Sequence, residues 1–138
     1  MGELILLDSE GAQAIGDADH PKHSKAVTRV QLIAKRRARL RDIALAVPTS
    51  VRVEAGWDRT EPRLAFANQL RIADIPLDAR TANVAARIRM ITGVSVADTH
   101  LGAAITSAAT ADRVTVITSD PDDIRKVAAG QPVNIVPL

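Results

Sequence analysis

The sequence contains no cysteine and no tyrosine, and its only aromatic side chains from the Phe, Trp and Tyr group are Trp57 and Phe66. The absence of a thiol excludes a disulfide scaffold, a thiolate metal site, a cysteine nucleophile and thiol-based redox sensing. The scarcity of aromatic rings argues against nucleic-acid binding by base stacking. Any nucleic acid would therefore have to be held mainly through its phosphates.

Long apolar runs are also absent. No run approaches the ~18 residues that a membrane-spanning helix needs. The first apolar run, residues 3–7, has no basic segment before it, so we predict a strand and not a signal peptide. With 138 residues the chain has the length of one domain and can bury a core without disulfides. We therefore expect a soluble, cytoplasmic protein that does not associate with a membrane.

Positive charge is concentrated in one segment, although the net charge of the chain is only +2. Residues 22–41 contain eight lysines and arginines and no acidic residue. Such a segment can bind an anionic partner. A solvent-exposed helix face with no partner explains the pattern equally well.

Strands and helices alternate along the chain. The apolar patterning predicts strands at residues 3–8, 43–47, 72–75, 114–118 and 133–136, and helices at residues 24–41, 62–71, 78–92 and 97–111, with others beginning near Thr49 or Ser50 and at Pro121. The helix after the second strand is expected to contain Glu54 and Trp57. Residues 11–23 read as a loop or a frayed helix. This alternation predicts a layered α/β fold with a parallel sheet.

Four acidic residues fall at the ends of these predicted elements: Asp8, Glu54, Asp98 and Asp120. The carboxyl ends of parallel strands meet at one edge of a sheet, where ligands bind. Carboxylate oxygens suit Mg²⁺ or Mn²⁺. Each acid taken alone also has an ordinary explanation, as a helix cap, a helix-dipole partner, a solvated helical residue or a strand-end acid. Their occurrence at the same kind of boundary favours a shared cation site.

Other sites receive less support from the sequence. There is no glycine-rich phosphate-binding loop, and residues 93–97 lack the final glycine of a nucleophile elbow. His20 and His23 are predicted to face solvent, and His100 is predicted to lie at the surface or in an interface. Trp57 is expected in the core or in a dimer interface.

The segments around the four acids are similar to those of PIN-domain ribonucleases, specifically the VapC-type toxins of prokaryotic toxin–antitoxin pairs. The resemblance covers nearly the whole chain and is most specific in its last segment. The matching segments are Asp8-Ser9, residues 48–54, residues 96–101 and residues 116–124. The resemblance implies one PIN-like domain over residues 1–138, with three α/β/α layers and a central, mainly parallel sheet of four to five strands. One departure is the long basic region between Asp8 and the second strand.

The resemblance also implies a chemistry, the hydrolysis of RNA phosphodiester bonds with Mg²⁺ or Mn²⁺ as cofactor. Asp8 and Asp98 would be the primary metal ligands and Asp120 the third, with Glu54 binding through water or orienting the attacking water. The hydroxyl groups of Ser9 and Thr118 would line the site. Asp122 or Asp123 would act as outer-shell acids.

The partners implied are an RNA substrate (tRNA, rRNA or mRNA), a VapB-like antitoxin and a second copy of the chain. Arg36, Arg37 and Arg39 would contact RNA phosphates. Two other functions remain open. One is a catalytically silent PIN-like module that binds RNA or a partner. The other is a small acid-site phosphatase or receiver-type domain, although position 10 carries Glu where the phosphatase pattern has a second aspartate.

Overall fold

The sheet consists of parallel strands in the computed structural model, which describes residues 2–39 and 42–138. The strands are β1 (Gly2–Leu7), β2 (Ile43–Pro48), β3 (Ala73–Ile75), β4 (Asp112–Thr118) and β5 (Asn134–Pro137). Their order is β3-β2-β1-β4-β5, and every neighbouring pair is parallel. The predicted α/β class is thereby confirmed, with five strands in the sheet.

Helices cover both faces of the sheet. They are α1 (Ser9–Gly16), α2 (His23–Arg39), α3 (Thr49–Ala55), α4 (Ala65–Asn68), α5 (Ala79–Thr92), α6 (Val96–Ala108) and α7 (Pro121–Ala128), with a 3₁₀ turn at Pro62–Leu64. Helix α1 packs against α2, α3 and α4 on one side, and α6 packs against α5 and α7 on the other. Among the described residues, none of these helices has both the length and the apolar character needed to cross a bilayer.

The strands supply side chains to two cores because successive residues of a strand point to opposite faces. In β1, Ile5 and Leu7 join the core beneath α1 and α2, whereas Leu6 joins the core beneath α6 and α7. In β4, Ile117 belongs to the first core and Val116 to the second. Both faces of the central strands are therefore buried, which explains why these strands read as continuous apolar runs.

The segment predicted as a loop or frayed helix is partly wrong, because residues 9–16 form the regular helix α1. Its amino terminus is capped by Asp8, and its buried face consists of small residues and Ile15. The two glycines of this segment, Gly11 and Gly16, lower its helix propensity, and tertiary packing overrides that preference. The prediction for residues 24–41 holds through Arg39, and its last two residues lie outside the described part.

Two helix ends differ from expectation. Pro48, not Thr49 or Ser50, occupies the N-cap position of α3, and no side chain caps that end. Trp57 lies beyond α3, because Gly56 adopts a left-handed conformation (φ 69°) that ends the helix. Gly93 ends α5 in the same way, as predicted. The helix predicted at residues 62–71 is shorter and consists of the 3₁₀ turn followed by α4.

Gly102 lets α6 pack closely against α7 at Val127. A Cβ atom at this position would lie 2.6 Å from the carbonyl oxygen of Val127 and 2.9 Å from its Cβ. Replacing Gly102 with Ala should therefore push α7 away and lower the free energy of unfolding by about 1–3 kcal/mol. Urea unfolding measures the change. Ser107→Ala, at an exposed position of the same helix, is the matched control, and equal stability of the two variants would contradict the packing argument.

Candidate acidic site at the carboxyl edge of the sheet

Asp8 is the most firmly held of the four predicted acids. It follows β1 directly, and its side chain is only 8% exposed. Its Oδ1 accepts a hydrogen bond from the backbone N–H of Gly11 at 2.7 Å, and its Oδ2 accepts one from the hydroxyl of Thr118 at 2.5 Å. The carboxylate is thus fixed between the start of α1 and the end of β4.

Thr118 also positions the fourth acid, Asp120. The backbone N–H of Asp120 donates to the Thr118 hydroxyl oxygen at 2.9 Å. The Asp120 side chain caps α7 by accepting from the backbone N–H of Asp123 at 3.2 Å. Asp120 therefore has the helix-cap role that its sequence context allowed, and it lies at the same sheet edge as Asp8.

Asp98 and Glu54 come from two helices that pack together, α6 and α3. Asp98 lies in the first turn of α6 and is partly buried, and its backbone N–H donates to the Ser95 hydroxyl at 3.1 Å. Glu54 is exposed near the end of α3. The four acids thus lie on four different elements that converge at one edge of the sheet.

The electrostatics show how these acids influence one another. Burial is the main factor that raises the pKa of Asp98, and the negative charges of Glu54, Asp123 and Asp8 raise it further. Burial is also the main factor that raises the pKa of Asp8, where the hydrogen bonds from Thr118 and Gly11 partly oppose it. Negative charge on neighbouring acids adds to the increase. Desolvation is therefore the larger cost and mutual repulsion the smaller one.

None of the four acids forms a salt bridge within the described residues. In the same part of the chain, no three side chains from His, Cys, Asp and Glu form a group that could hold a metal ion. Mg²⁺ is commonly bound through only one or two carboxylates and keeps several waters. The uncompensated carboxylates of Asp8 and Asp98 fit that mode of binding. The buried hydroxyl of Ser9, which has no hydrogen-bond partner in the described structure, adds an oxygen beside Asp8.

Glu10 is a member of this region that sequence reasoning did not assign to the site. Its carboxylate accepts a hydrogen bond from Ser119 and lies 3.1 Å from the ammonium group of Lys22. The Ser119 hydrogen bond is the main factor that lowers the pKa of Glu10. Its charge in turn raises the pKa of Asp8. The signal in the sequence was an acid two residues after Asp8, and it could be interpreted only once Ser119 was placed beside it.

The two acids predicted as outer-shell groups differ from each other. Asp122 is exposed and lies 3.3 Å from Arg125. Asp123 is partly buried, and its pKa is raised first by burial and then by its contact with Asp120. Of these two acids, Asp123 is the one whose negative charge raises the pKa of Asp98.

The predictions for the histidines are largely wrong. His100 is completely buried, because α6 is covered by α3, α5 and α7, and its Nδ1 lies 2.9 Å from the Ser50 hydroxyl. Burial lowers the pKa of His100 and so favours its neutral form. His20 and His23 are partly buried, and Nδ1 of His23 donates to a backbone carbonyl at 2.6 Å.

Trp57 lies in the core, the first of the two places expected, and its indole N–H donates to Asn68 at 2.8 Å.

Two of the three arginines predicted to contact RNA are bonded to groups at the amino ends of the strands, away from the acids. Arg36 pairs with Glu3 at 2.9 Å, and Arg37 donates to the carbonyl oxygen of Arg71 at 3.1 Å. These partners lie at or before the starts of β1 and β3. The length of a strand, roughly 20 Å for six residues, therefore separates Arg36 from the acidic edge.

Comparison with known proteins gives one informative result. No protein-family model matches the sequence, and no curated protein matches it. Among solved structures, the crystal structure of VapBC2 from Rickettsia felis bound to a DNA fragment from their promoter is similar, with a TM-score of 0.59 and 11% sequence identity over 98% of each chain. This likeness shows that the chain has a PIN-like fold.

The raised pKa of Asp98 predicts how this residue affects stability. Because the folded state favours its protonated form, ionisation costs folding free energy above the raised pKa, and this cost disappears as the pH falls below the ordinary aspartate value. Asp98→Asn should therefore be at least as stable as wild type at pH 7, with an advantage that vanishes in acid. Asp8→Asn should be less stable than Asp98→Asn by about 1–2 kcal/mol at pH 7. Both changes remove a buried charge, but an amide has one acceptor oxygen in place of two, so either the Thr118 hydroxyl or the Gly11 N–H loses its acceptor.

Thermal and urea unfolding in EDTA between pH 3 and pH 8 test this pair of variants, with the exposed Asp19→Asn as control. In saturating Mg²⁺ wild type should become the more stable protein, because only it gains the full binding free energy. Clear destabilisation by Asp98→Asn without metal would make Asp98 a structural residue and would contradict a shared site.

Proposed function

We propose that this chain is a divalent-metal-dependent endoribonuclease and the toxin component of a type II toxin–antitoxin system. The observation that carries the proposal is the set of buried or partly buried carboxylates without cationic partners at the carboxyl edge of a PIN-like sheet. Burial penalises the ionised form of these acids. Two of them, Asp8 and Asp98, have raised pKa values for this reason. A bound cation would offset that penalty by pairing with the buried charge.

Each acid has a separate task in the proposed reaction. A bound Mg²⁺ or Mn²⁺ would supply activation of a water for in-line attack and stabilisation of the leaving oxygen. Asp8 and Asp98 would hold the ion, and the hydrogen bonds from Gly11 and Thr118 keep Asp8 oriented. Asp120 would be the third ligand, and the exposed Glu54 would either bind the ion through water or orient the attacking water.

An RNA substrate (tRNA, rRNA or mRNA) would be bound mainly through its phosphates, because the chain offers almost no aromatic side chains for stacking. The proposed contacts from Arg36, Arg37 and Arg39 remain a prediction. The internal bonds of Arg36 and Arg37 and their distance from the acidic edge argue against a direct role for these two residues in holding the RNA at the site of cleavage.

The proposed partner that controls the nuclease is a VapB-like antitoxin. The support is that the similar solved structure is a VapBC2 assembly bound to promoter DNA. A gene next to that of this chain, encoding a small DNA-binding protein, is the simplest corroborating observation.

Self-association is a further part of the proposal. Large apolar side chains are exposed on the helices that carry Glu54 and Asp98 and at the end of α5: Val53, Met90, Ile91 and Val96. Met90 and Ile91 are more than four-fifths exposed, at 87% and 84%. Exposed apolar surface of this kind commonly marks protein interfaces. We propose that they form the contact of a homodimer.

The nuclease proposal predicts cleavage of structured RNA in Mg²⁺ or Mn²⁺ and none in EDTA. Asp8→Asn and Asp98→Asn should each lower the cleavage rate by about 100-fold or more, because each removes a proposed metal ligand. Ca²⁺ should substitute poorly, since its looser coordination positions water less well. Gel analysis of end-labelled RNA gives the rates.

Asp19→Asn, an exposed aspartate outside the site, is the control and should cleave like wild type. Cleavage that persists in EDTA or in either site variant would contradict the mechanism. RNA binding without cleavage in any metal would identify the catalytically silent alternative.

The dimer proposal predicts that Met90→Lys combined with Ile91→Lys raises the dimer dissociation constant by about tenfold or more, because two charged groups would be buried in the interface. Light scattering coupled to size-exclusion chromatography measures the mass. Phe66→Lys, at another exposed apolar position, is the matched control. A wild-type monomer at high concentration would refute the proposal.

A further inference from the structure

A groove of about 690 Å³ runs between α2 and strands β1, β4 and β5 of the sheet. Its floor is formed by aliphatic side chains of β1, β4, β5 and α2, namely Ile5, Ile117, Val136 and Ile33. Leu32 stands at its rim and is 50% exposed. We call this feature the α2 groove.

The rim of the α2 groove is strongly basic. The cationic residues that line it are Arg29, Lys35, Arg36, Arg39 and Arg113. The single acidic residue in the lining, Glu3, is already paired with Arg36 and also accepts a hydrogen bond from Thr115. Within the described residues the other four cations form no salt bridge. The groove therefore presents several uncompensated positive charges around an apolar floor.

Arg29 gives a second indication that an acceptor is missing. Its Nε is buried and has no hydrogen-bond partner in the described structure. Another nitrogen of the same guanidinium, Nη2, makes only a long bond of 3.4 Å to the carbonyl oxygen of Pro137. A buried donor without an acceptor is costly. A carboxylate placed in the groove would pair with the accessible Nη groups of the same guanidinium, since Arg binds carboxylates through paired N–H groups.

We propose that the α2 groove binds an amphipathic, acidic peptide segment of a partner protein. Its aliphatic side chains would lie on the floor, and its carboxylates would meet the cations of the rim. This mode of recognition resembles the docking of an amphipathic helix in an apolar groove, with charge complementarity added at the edges. The proposal does not depend on hydrolysis, because none of the four acids lines the groove.

Two other occupants fit the groove less well. RNA would use the cations but not the aliphatic floor, and no aromatic side chain in the lining offers a surface for stacking. A second copy of the chain docked symmetrically through this surface would bring the two basic rims together, and like charges repel. The combination of an apolar floor and a basic rim favours a peptide of opposite charge.

The test uses fluorescein-labelled synthetic peptides of about 14 residues with leucines at helical spacing and glutamates elsewhere. Fluorescence anisotropy is measured on the full chain carrying Asp98→Asn, in EDTA, so that hydrolysis cannot contribute. The glutamate peptide should bind, and its affinity should fall as salt rises. Lys35→Glu combined with Arg113→Glu should weaken binding by about tenfold or more and should confer binding of the matched lysine peptide.

Leu32→Ser tests the apolar contact without touching a charge. It should weaken peptide binding and leave the binding of a single-stranded RNA probe unchanged. The controls are Arg80→Glu combined with Arg87→Glu, two exposed cations on α5, and Phe66→Ser, at an exposed apolar position outside both the groove and the proposed dimer contact. Neither control should change peptide affinity.

Three outcomes would overturn the proposal. They are the absence of glutamate-peptide binding, binding that the groove variants do not change, and binding of the RNA probe alone, with loss in the charge variant. The reciprocal gain of lysine-peptide binding separates a changed surface from a misfolded protein. A failure of the nuclease assays leaves these measurements unaffected, so the two proposals can fail independently.

Discussion

The hydrogen bond from the Thr118 hydroxyl to Asp8 joins the ends of β1 and β4, and the rest of the acidic edge depends on it. The same hydroxyl oxygen accepts from the backbone of Asp120 and so sets the start of α7. One threonine thus positions two acids that are far apart in sequence. Because Asp8 also caps α1, the strand ends, the two helix starts and the acids form one connected structure.

These hydrogen bonds hold acidic side chains in a partly buried region, where the ionised carboxylate is destabilised. Burial and repulsion raise the pKa of Asp8 and Asp98, and no cation compensates these two acids within the described residues. Natural proteins commonly accept such a cost only where function requires it. By contrast, Glu10 lies beside them with a lysine and a serine as partners, and its pKa is lowered. The site therefore contains one acid that is paired within its own chain and two acids, Asp8 and Asp98, that have no cationic partner there.

The charges of the molecule are separated along the strand direction. The acids follow the carboxyl ends of the strands or lie on helices beside them, whereas Arg36 and Arg37 are bonded to groups at the amino edge. The α2 groove lies between α2 and strands β1, β4 and β5, and it has an aliphatic floor and a basic rim. The proposed nuclease site at one edge and the proposed peptide site at the groove therefore use different surfaces of the fold.

The sequence by itself determined the alternation of strands and helices, because local patterning and helix-ending residues such as Gly93 carry that information. It also determined that Asp8 and Asp120 follow strands of a parallel sheet, but not that these two strands are neighbours. It did not reveal the burial of His100, the contact of Glu10 with Ser119 or the internal partners of Arg36 and Arg37. These features arise from residues distant in sequence, and only the order of the strands and the packing of α2, α3 and α6 brought them together. The tertiary structure alone therefore decided which charges are compensated within the chain and which remain for a ligand.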